Sequence, residues 1–231
     1  MTDKIIQRGV ISIICCIIAH FFSYYVSAEE TSPEVLKLND SQYKIGNAFL
    51  NMSKGTITLN GWVNMSEGVI ELLACGKRGK THESVFVLDV EPYHLQVALL
   101  MLGLEPGGGL QYQGDPRTPK GDSLFVYVSW EKGDGNHIRV RGEQVVYNIK
   151  EKRPMTATAW VFSGLRFIDN TFMASVSQSY ITTFHDPDTI IDNPLSTGGD
   201  DTLYEANKFL LPPPNTPVKV ELIKPGYEKT N

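Results

Sequence analysis

Cysteine is scarce in this chain. The 231 residues include three cysteines, and two of them, Cys15 and Cys16, lie within the first 28 residues. If that segment is removed during export, Cys75 remains alone. A single chain can then form neither an internal disulfide nor a four-cysteine zinc or iron–sulfur site. We therefore expect no iron–sulfur cluster.

The chain also lacks a block of basic residues and, after residue 28, an apolar run of membrane-spanning length. Its formal net charge is −5, and losing Lys4, Arg8 and Asp3 with the N-terminal segment changes it to −6. Such an acidic chain is not expected to bind nucleic acid. The longest later apolar run, Val97–Leu102, is far too short to cross a bilayer.

Several signatures of catalysis and phosphate binding are missing as well. The sequence contains no G-x-S-x-G elbow, no H-E-x-x-H pair and no D-x-[DN]-x-[DN]-G calcium loop. Gly107-Gly108-Gly109 does not stand between a strand and a helix, as a phosphate-binding loop would require. These absences favour a binding function over catalysis.

The N-terminus has the pattern of a secretory signal peptide. Lys4 and Arg8 precede an apolar run from Val10 to Val26, and small residues follow at Ser27 and Ala28. This order predicts a signal peptide over residues 1–28 and an exported protein, periplasmic or secreted, that is soluble and off the membrane once cleaved. The alternative is an uncleaved anchor, since about 17 apolar residues approach the length of a bilayer span.

The rest of the chain is expected to hold one domain. Residues 29–41 are polar and are interpreted as a tether, residues 42–225 as a single globular domain, and the Gly- and Pro-rich stretch 105–122 as a long loop or a subdomain break. Alternation in Thr56–Val63 places Ile57, Leu59 and Val63 on one face of a strand.

The pattern of runs and turns predicts an α+β fold made mostly of antiparallel β-sheet, sandwich- or barrel-like. One helix is expected near 92–102, with Pro92 in its first turn and Gly103 at its end. Its last two turns are apolar on nearly every side, which predicts that the helix is buried. Asp200 or Asp201 could cap a minor helix near 202–211.

Several segments resemble the YdjY-domain family of exported bacterial proteins. They are Lys80–Ser84, the 92–102 segment with Gly103–Gly107 after it, Trp160–Phe167, His185-Asp186-Pro187, and Asp192–Pro194 through Gly198–Asp201. The resemblance covers about residues 56–223 and implies a YdjY-like domain with no established activity. Some relatives carry an iron–sulfur or ferredoxin label, for which this chain lacks the cysteines.

Lys80, His82, Glu83 and Ser84 form the first candidate site. A turn that presents a cation, an imidazole, a carboxylate and a hydroxyl within five residues could bind an anion, a carbonyl group or a metal ion. The alternative is a polar strand entrance in which Lys80 is solvated and Glu83 pairs locally. Cys75 ends an apolar strand, so we expect it to be a buried, inert thiol rather than a nucleophile.

His185, Asp186, Asp200 and Asp201 form a second candidate, a site for a divalent metal ion. The alternative is that these aspartates cap turns and helices, a common role for Asp. Beyond that metal ion no cofactor is predicted.

The sequence thus predicts an exported, non-catalytic binding or interaction module for an unknown small ligand or protein partner. The alternative function is a metal-assisted hydrolase or transferase that brings together His82, Glu83, His185 and Asp186.

Overall fold

The computed structural model of the chain describes residues 34–164 and 166–228. The predicted signal peptide, residues 1–28, and the first part of the expected tether lie outside the described residues. The described residues group into one compact unit. No helix in the described ranges is long and apolar enough to cross a membrane.

The described part of the chain is dominated by strands. Its helices are α1 (Pro92–Met101) and α2 (Met173–Ser177). Its strands are β1 (Val35–Lys37), β2 (Gln42–Ile45), β3 (Ala48–Asn51), β4 (Thr56–Val63), β5 (Leu72–Gly76), β6 (Ser84–Leu88), β7 (Pro106–Gly108), β8 (Lys120–Gly121), β9 (Ser123–Glu131), β10 (His137–Arg141), β11 (Val146–Asn148), β12 (Arg153–Pro154), β13 (Trp160–Phe162), β14 (Phe167–Ile168), β15 (Thr171–Phe172), β16 (Ser179–Thr182), β17 (Ile191–Asp192), β18 (Tyr204–Ala206) and β19 (Pro217–Ile223).

Eight strands form a closed, barrel-like sheet. Their order is β4-β19-β9-β13-β17-β16-β5-β6, and β6 pairs back with β4. The pairings are antiparallel except for β16 with β17 and β5 with β6. Hairpins extend this sheet at β1–β3 and at β10. The predicted β-rich α+β class is confirmed.

The interior of the closed sheet is apolar because alternate strand residues point inward. In β4, Ile57, Leu59 and Val63 are completely buried, as the alternation predicted. Large side chains such as Phe86 and Trp160 fill the same core.

Helix α1 covers one side of this core. Leu95, Ala98 and Leu99 are fully buried, whereas Leu100 is 44% exposed. The helix therefore packs on the core with one face only, although its apolar composition predicted burial on all sides. Its last residue is Met101, and the left-handed Gly103, whose φ is +77°, follows its C-cap Leu102, as the glycine signal predicted. The Gly103 amide donates to the Leu100 carbonyl and the Leu104 amide to that of Leu99, the pattern of a Schellman cap.

The helix expected near 202–211 does not form. Tyr204–Ala206 is instead the strand β18, which pairs with β11. On its other side the Ile70 amide donates to the Tyr204 carbonyl. The Asp200 carboxylate does receive hydrogen bonds from the Thr202 amide and hydroxyl, but they close a local turn. Pairing with two neighbours satisfies this backbone better than an isolated helical turn would.

Two other boundaries also differ from the expected layout. Strand β1 falls within the expected tether of residues 29–41, so regular structure begins before residue 42. The Gly- and Pro-rich segment 105–122 is not a plain loop, because β7 and β8 pair within it.

Candidate functional site

Lys80 lies in the connection between the parallel strands β5 and β6. Its Nζ is 2.8 Å from Glu71 Oε2 and 2.9 Å from Glu83 Oε1, and the first contact has hydrogen-bond geometry. Burial opposes the charge of Lys80, but the hydrogen bonds and charges of the two glutamates outweigh it and raise the Lys80 pKa. The ammonium is therefore already paired.

The other members of this candidate group face different surroundings. His82 is exposed, with Nε2 3.6 Å from Glu83 Oε2, in a short 3-10 turn over Thr81–Glu83. Ser84 is fully buried, and its hydroxyl donates to the Phe86 carbonyl at 2.9 Å. The structure thus brings Lys80 and Glu83 together with Glu71 but directs Ser84 into the protein.

Cys75 is completely buried at the end of β5, as predicted. Burial raises the pKa of its thiol, and a hydrogen bond with Ser84 opposes that shift. A buried thiol with a raised pKa is a poor nucleophile.

His185 is fully buried, and both of its ring nitrogens are engaged. Nδ1 lies 2.6 Å from the Asp115 carbonyl oxygen and Nε2 lies 2.8 Å from that of Asn193. Gly198 packs directly against the ring, where a Cβ would stand 2.2 Å from Nε2. In this arrangement the imidazole fastens two loops and offers no free nitrogen to a metal ion.

Two aspartates of the second candidate group, Asp186 and Asp200, are also used locally, whereas Asp201 is exposed. Asp186 accepts hydrogen bonds from the Ser179 hydroxyl and the Asp188 amide, both at 2.9 Å. Asp200 pairs with Lys150, and hydrogen bonds from Thr202 and Lys150 lower the pKa of Asp200 to about 2. Within residues 34–164 and 166–228, no group of three or more His, Cys, Asp or Glu is arranged to hold a metal ion.

A cavity that the sequence did not single out lies beside Asp186. Its volume is about 440 Å³, and we call it the glycine-loop pocket. Its walls come from three separate segments, which are residues 106–111, Ser163 with Arg166, and Asp186 with Pro187.

Glycines bring the first wall close to the closed sheet. A Cβ on Gly107 would stand 2.4 Å from the Gly121 nitrogen across the β7–β8 pair, so only glycine fits there. Gly108 has a φ of +59°, and its amide donates to the Ser163 carbonyl at 3.0 Å. These contacts hold the loop against the end of β13.

A network of buried aspartates lies behind the pocket. Asp192 is fully buried and accepts hydrogen bonds from the Thr182 hydroxyl at 3.0 Å and from the Asn193 amide at 2.7 Å. Burial raises the pKa of Asp192 well above its usual range, against the effect of these hydrogen bonds. The Asp186 amide donates to the same carboxyl group, which connects the network to the pocket wall.

Arg166 pairs with Asp188 at the edge of the pocket. Nη1 lies 3.2 Å from Asp188 Oδ1 without hydrogen-bond geometry. Burial raises the pKa of Asp188, the charge of Asp186 adds to that shift, and Arg166 opposes it. The Arg166 side chain is 39% exposed, and its guanidinium has further N–H donors that can bind a ligand.

Ser163 has the clearest unmet hydrogen-bonding capacity at the pocket. The residue is 7% exposed, and its hydroxyl has no hydrogen-bond partner among the described residues. Gln96 Oε1, from α1, is likewise buried without a partner, while its Nε2 donates to the neighbouring Gly164 carbonyl at 2.6 Å. Buried polar groups without partners are uncommon and costly, so each one calls for an explanation.

Sequence reasoning found the parts of this pocket without joining them. The glycine-rich stretch, the segment around Ser163 and the Asp186-Pro187 pair were each noticed, but no spacing rule connects them. Their meeting depends on the pairing of β13 with β9 and β17.

Comparison with known proteins gives one match. A family model described as the YdjY domain matches residues 49–223. No curated protein and no solved structure matches the chain.

Proposed function

Because the chain belongs to the YdjY-domain family, a family without an established activity, we propose from the site itself that it is an exported, non-catalytic binding module. The glycine-loop pocket is its ligand site. The observation that carries this proposal is Ser163, a residue in the wall of a cavity of about 440 Å³, whose buried hydroxyl has no hydrogen-bond partner in the described part of the chain. That volume lies within the usual range for small-molecule sites.

The groups at the pocket indicate a small polar ligand with both donors and acceptors. The Ser163 hydroxyl can donate and accept, Arg166 can donate, and the Asp186 carboxylate has acceptor capacity beyond its two present hydrogen bonds. The remaining walls come from two prolines, three glycines, Leu110 and Gln111. Such a site can hold a small molecule by hydrogen bonds, with Ser163 in its wall.

Export is supported by the N-terminal sequence pattern alone. The basic start, the apolar run and the Val26-Ser27-Ala28 exit are typical of a cleaved signal. A small-ligand binding module is compatible with that location.

The test is a thermal-shift screen with amino acids, monosaccharides and small dicarboxylic acids, followed by calorimetry on any compound that stabilises the protein. Ser163→Ala should leave the free energy of unfolding unchanged or slightly higher, since the lost hydroxyl has no partner, yet it should weaken binding about 10-fold. Ser129→Ala is the control, since Ser129 is similarly buried but lies on β9 and does not line the pocket.

Two results would refute the proposal. One is a screen in which no compound stabilises the wild-type protein. The other is a compound that binds with equal affinity to wild type, Ser163→Ala and Arg166→Met, provided that all three melt normally.

A further inference from the structure

The outer face of the sheet that carries β2, β3, β4, β19, β9 and β10 has a composition unlike the rest of the chain. Strand registers align one cross-strand row along it, made of Lys44, Phe49, Thr58, Glu221, Tyr127 and Arg141. The neighbouring positions Leu50, Ile57 and Leu222 point the other way and are buried in the core. The row is therefore the outward surface of the closed sheet and its extension.

A broad groove of about 680 Å³ runs over this face. Phe49 and Tyr227 contribute aromatic rings to it, and both are substantially exposed, at 40% and 46%. Gln42 and Asn51 contribute side-chain amides, and Thr56 a hydroxyl. The groove thus combines flat apolar surfaces with neutral hydrogen-bonding groups.

The charge of this face is opposite to that of the whole chain. Lys54 and Arg139 line the groove, and Lys219, Lys44 and Arg141 stand on the same outward face. The acidic groups on or against this face are Glu221, paired with Arg139, Glu143, paired with Arg141, and Glu131, opposite His137 at the end of β9. Cations therefore exceed anions here although the chain carries a net charge of −5.

Arg139 is held in position before any ligand arrives. Its Nε donates to Glu221 Oε2 at 2.7 Å, and its guanidinium lies 3.9 Å from the centre of the Tyr127 ring. In the part of the chain that the structure describes, its two terminal nitrogens donate to no protein acceptor. These two nitrogens can therefore donate hydrogen bonds to a carboxylate of a ligand, a group that a guanidinium binds well.

Tyr227 is positioned in a similar way by Gly55. A Cβ on Gly55 would stand 2.3 Å from Tyr227 Cγ, so the ring rests directly on the glycine backbone. Gly55 also has a φ of +60°, a conformation that other residues rarely adopt. A ring fixed at the rim of a groove can stack on the apolar face of a sugar.

We propose that this outer groove is a second binding site, separate from the glycine-loop pocket, that binds an oligosaccharide carrying carboxylate groups. Arg139 and Lys54 bind the carboxylates, Tyr227 stacks on a sugar ring, and Asn51 and Gln42 bond to hydroxyls. Nucleic acid fits less well, because a phosphate backbone requires many cations, whereas Lys54 and Arg139 are the cations that line the groove and Arg139 is paired with Glu221. The aromatic rings at the centre of the face are also in contact with cations. Here Arg139 covers Tyr127, and Lys44 Nζ lies 5.6 Å from the centre of the Phe49 ring.

The probe is tetragalacturonate, compared with neutral cellotetraose and a short single-stranded thymidine oligonucleotide at one ionic strength. Calorimetry on the full chain should show that tetragalacturonate binds and that its affinity falls as salt is added. Arg139→Met should weaken that affinity about 10- to 100-fold, as loss of a hydrogen bond to a charged group does. Lys54→Met removes the other cation that lines the groove, and because Lys54 is exposed the change does not disturb the core.

Matched controls separate this site from the rest of the molecule. Arg153→Met removes an arginine that is half exposed but does not line the groove, and it should leave the affinity unchanged. Ser163→Ala should also leave it unchanged, so failure here and failure of the glycine-loop pocket are distinguishable. Tyr227→Ala should weaken tetragalacturonate binding without changing the salt dependence.

Three outcomes would overturn the proposal. Tetragalacturonate could fail to bind at millimolar concentration, cellotetraose could bind equally well, or the oligonucleotide could bind more tightly. Unchanged affinity in both Arg139→Met and Lys54→Met, with normal melting curves, would also exclude the assigned contacts.

Discussion

Leu99 and Leu100 in α1 allow the packing of the helix to be measured within one turn. Leu99 is completely buried among core side chains, whereas Leu100 is 44% exposed. Alanine has the highest helix propensity, so neither Leu→Ala change weakens the helix itself. The two variants therefore differ mainly in the apolar volume removed from the core.

Leu99→Ala should lower the free energy of unfolding by about 2–5 kcal/mol, because a buried leucine loses both its transfer energy and its packing contacts. For a domain of this size, that corresponds to a fall in melting temperature of about 4–20 °C. Leu100→Ala should change the free energy of unfolding by about 0.5 kcal/mol or less, as exposed substitutions do. Urea unfolding followed by circular dichroism would give both values.

Equal losses in the two variants would refute the assigned orientation of α1. A loss below about 0.5 kcal/mol for Leu99→Ala would have the same meaning, since it would place Leu99 outside the core. A change in the urea m-value would instead indicate altered compactness and would call for a third variant, Leu95→Ala.

Four further outcomes follow from the structure. Cys75 should react with a thiol reagent slowly in native protein and quickly in urea, because burial raises its pKa and shields it; fast native labelling would contradict this. Lys80→Met should destabilise the protein, and a cycle with Glu71→Gln should show favourable coupling, whereas additive losses would mean that the pair contributes nothing. Because burial raises the folded-state pKa of Asp192 above its unfolded value, wild type should lose stability relative to Asp192→Asn as the pH rises above about 4. A difference in urea unfolding that does not depend on pH would contradict this. N-terminal sequencing of secreted protein should begin at Glu29, and an intact Met1 in the membrane fraction would overturn the signal prediction.

The sequence predicted those features of the fold that depend on a few neighbouring residues, such as the ends of a helix and the buried face of a strand. Pro92 and Gly103 marked the ends of α1 to within one residue, since a first-turn proline and a left-handed glycine act within a few residues of chain. Alternation in β4 identified its buried face for the same reason. The prediction of a helix after Asp200 was wrong, because an aspartate that closes a turn and one that caps a helix receive the same local hydrogen bond.

The candidate site could not be predicted in the same way, because clustering in sequence and availability to a ligand are different properties. Residues of opposite charge that stand close together along the chain also lie close together in space, so they tend to satisfy one another. Lys80 and Glu83 do so with Glu71, and that pairing leaves little for a ligand. Ser163 is uncharged, yet the pairing of distant strands buries its hydroxyl with no hydrogen-bond partner among the described residues. Unmet hydrogen-bonding capacity is a property of the folded chain, and at Ser163 it supports the proposed ligand site in the glycine-loop pocket.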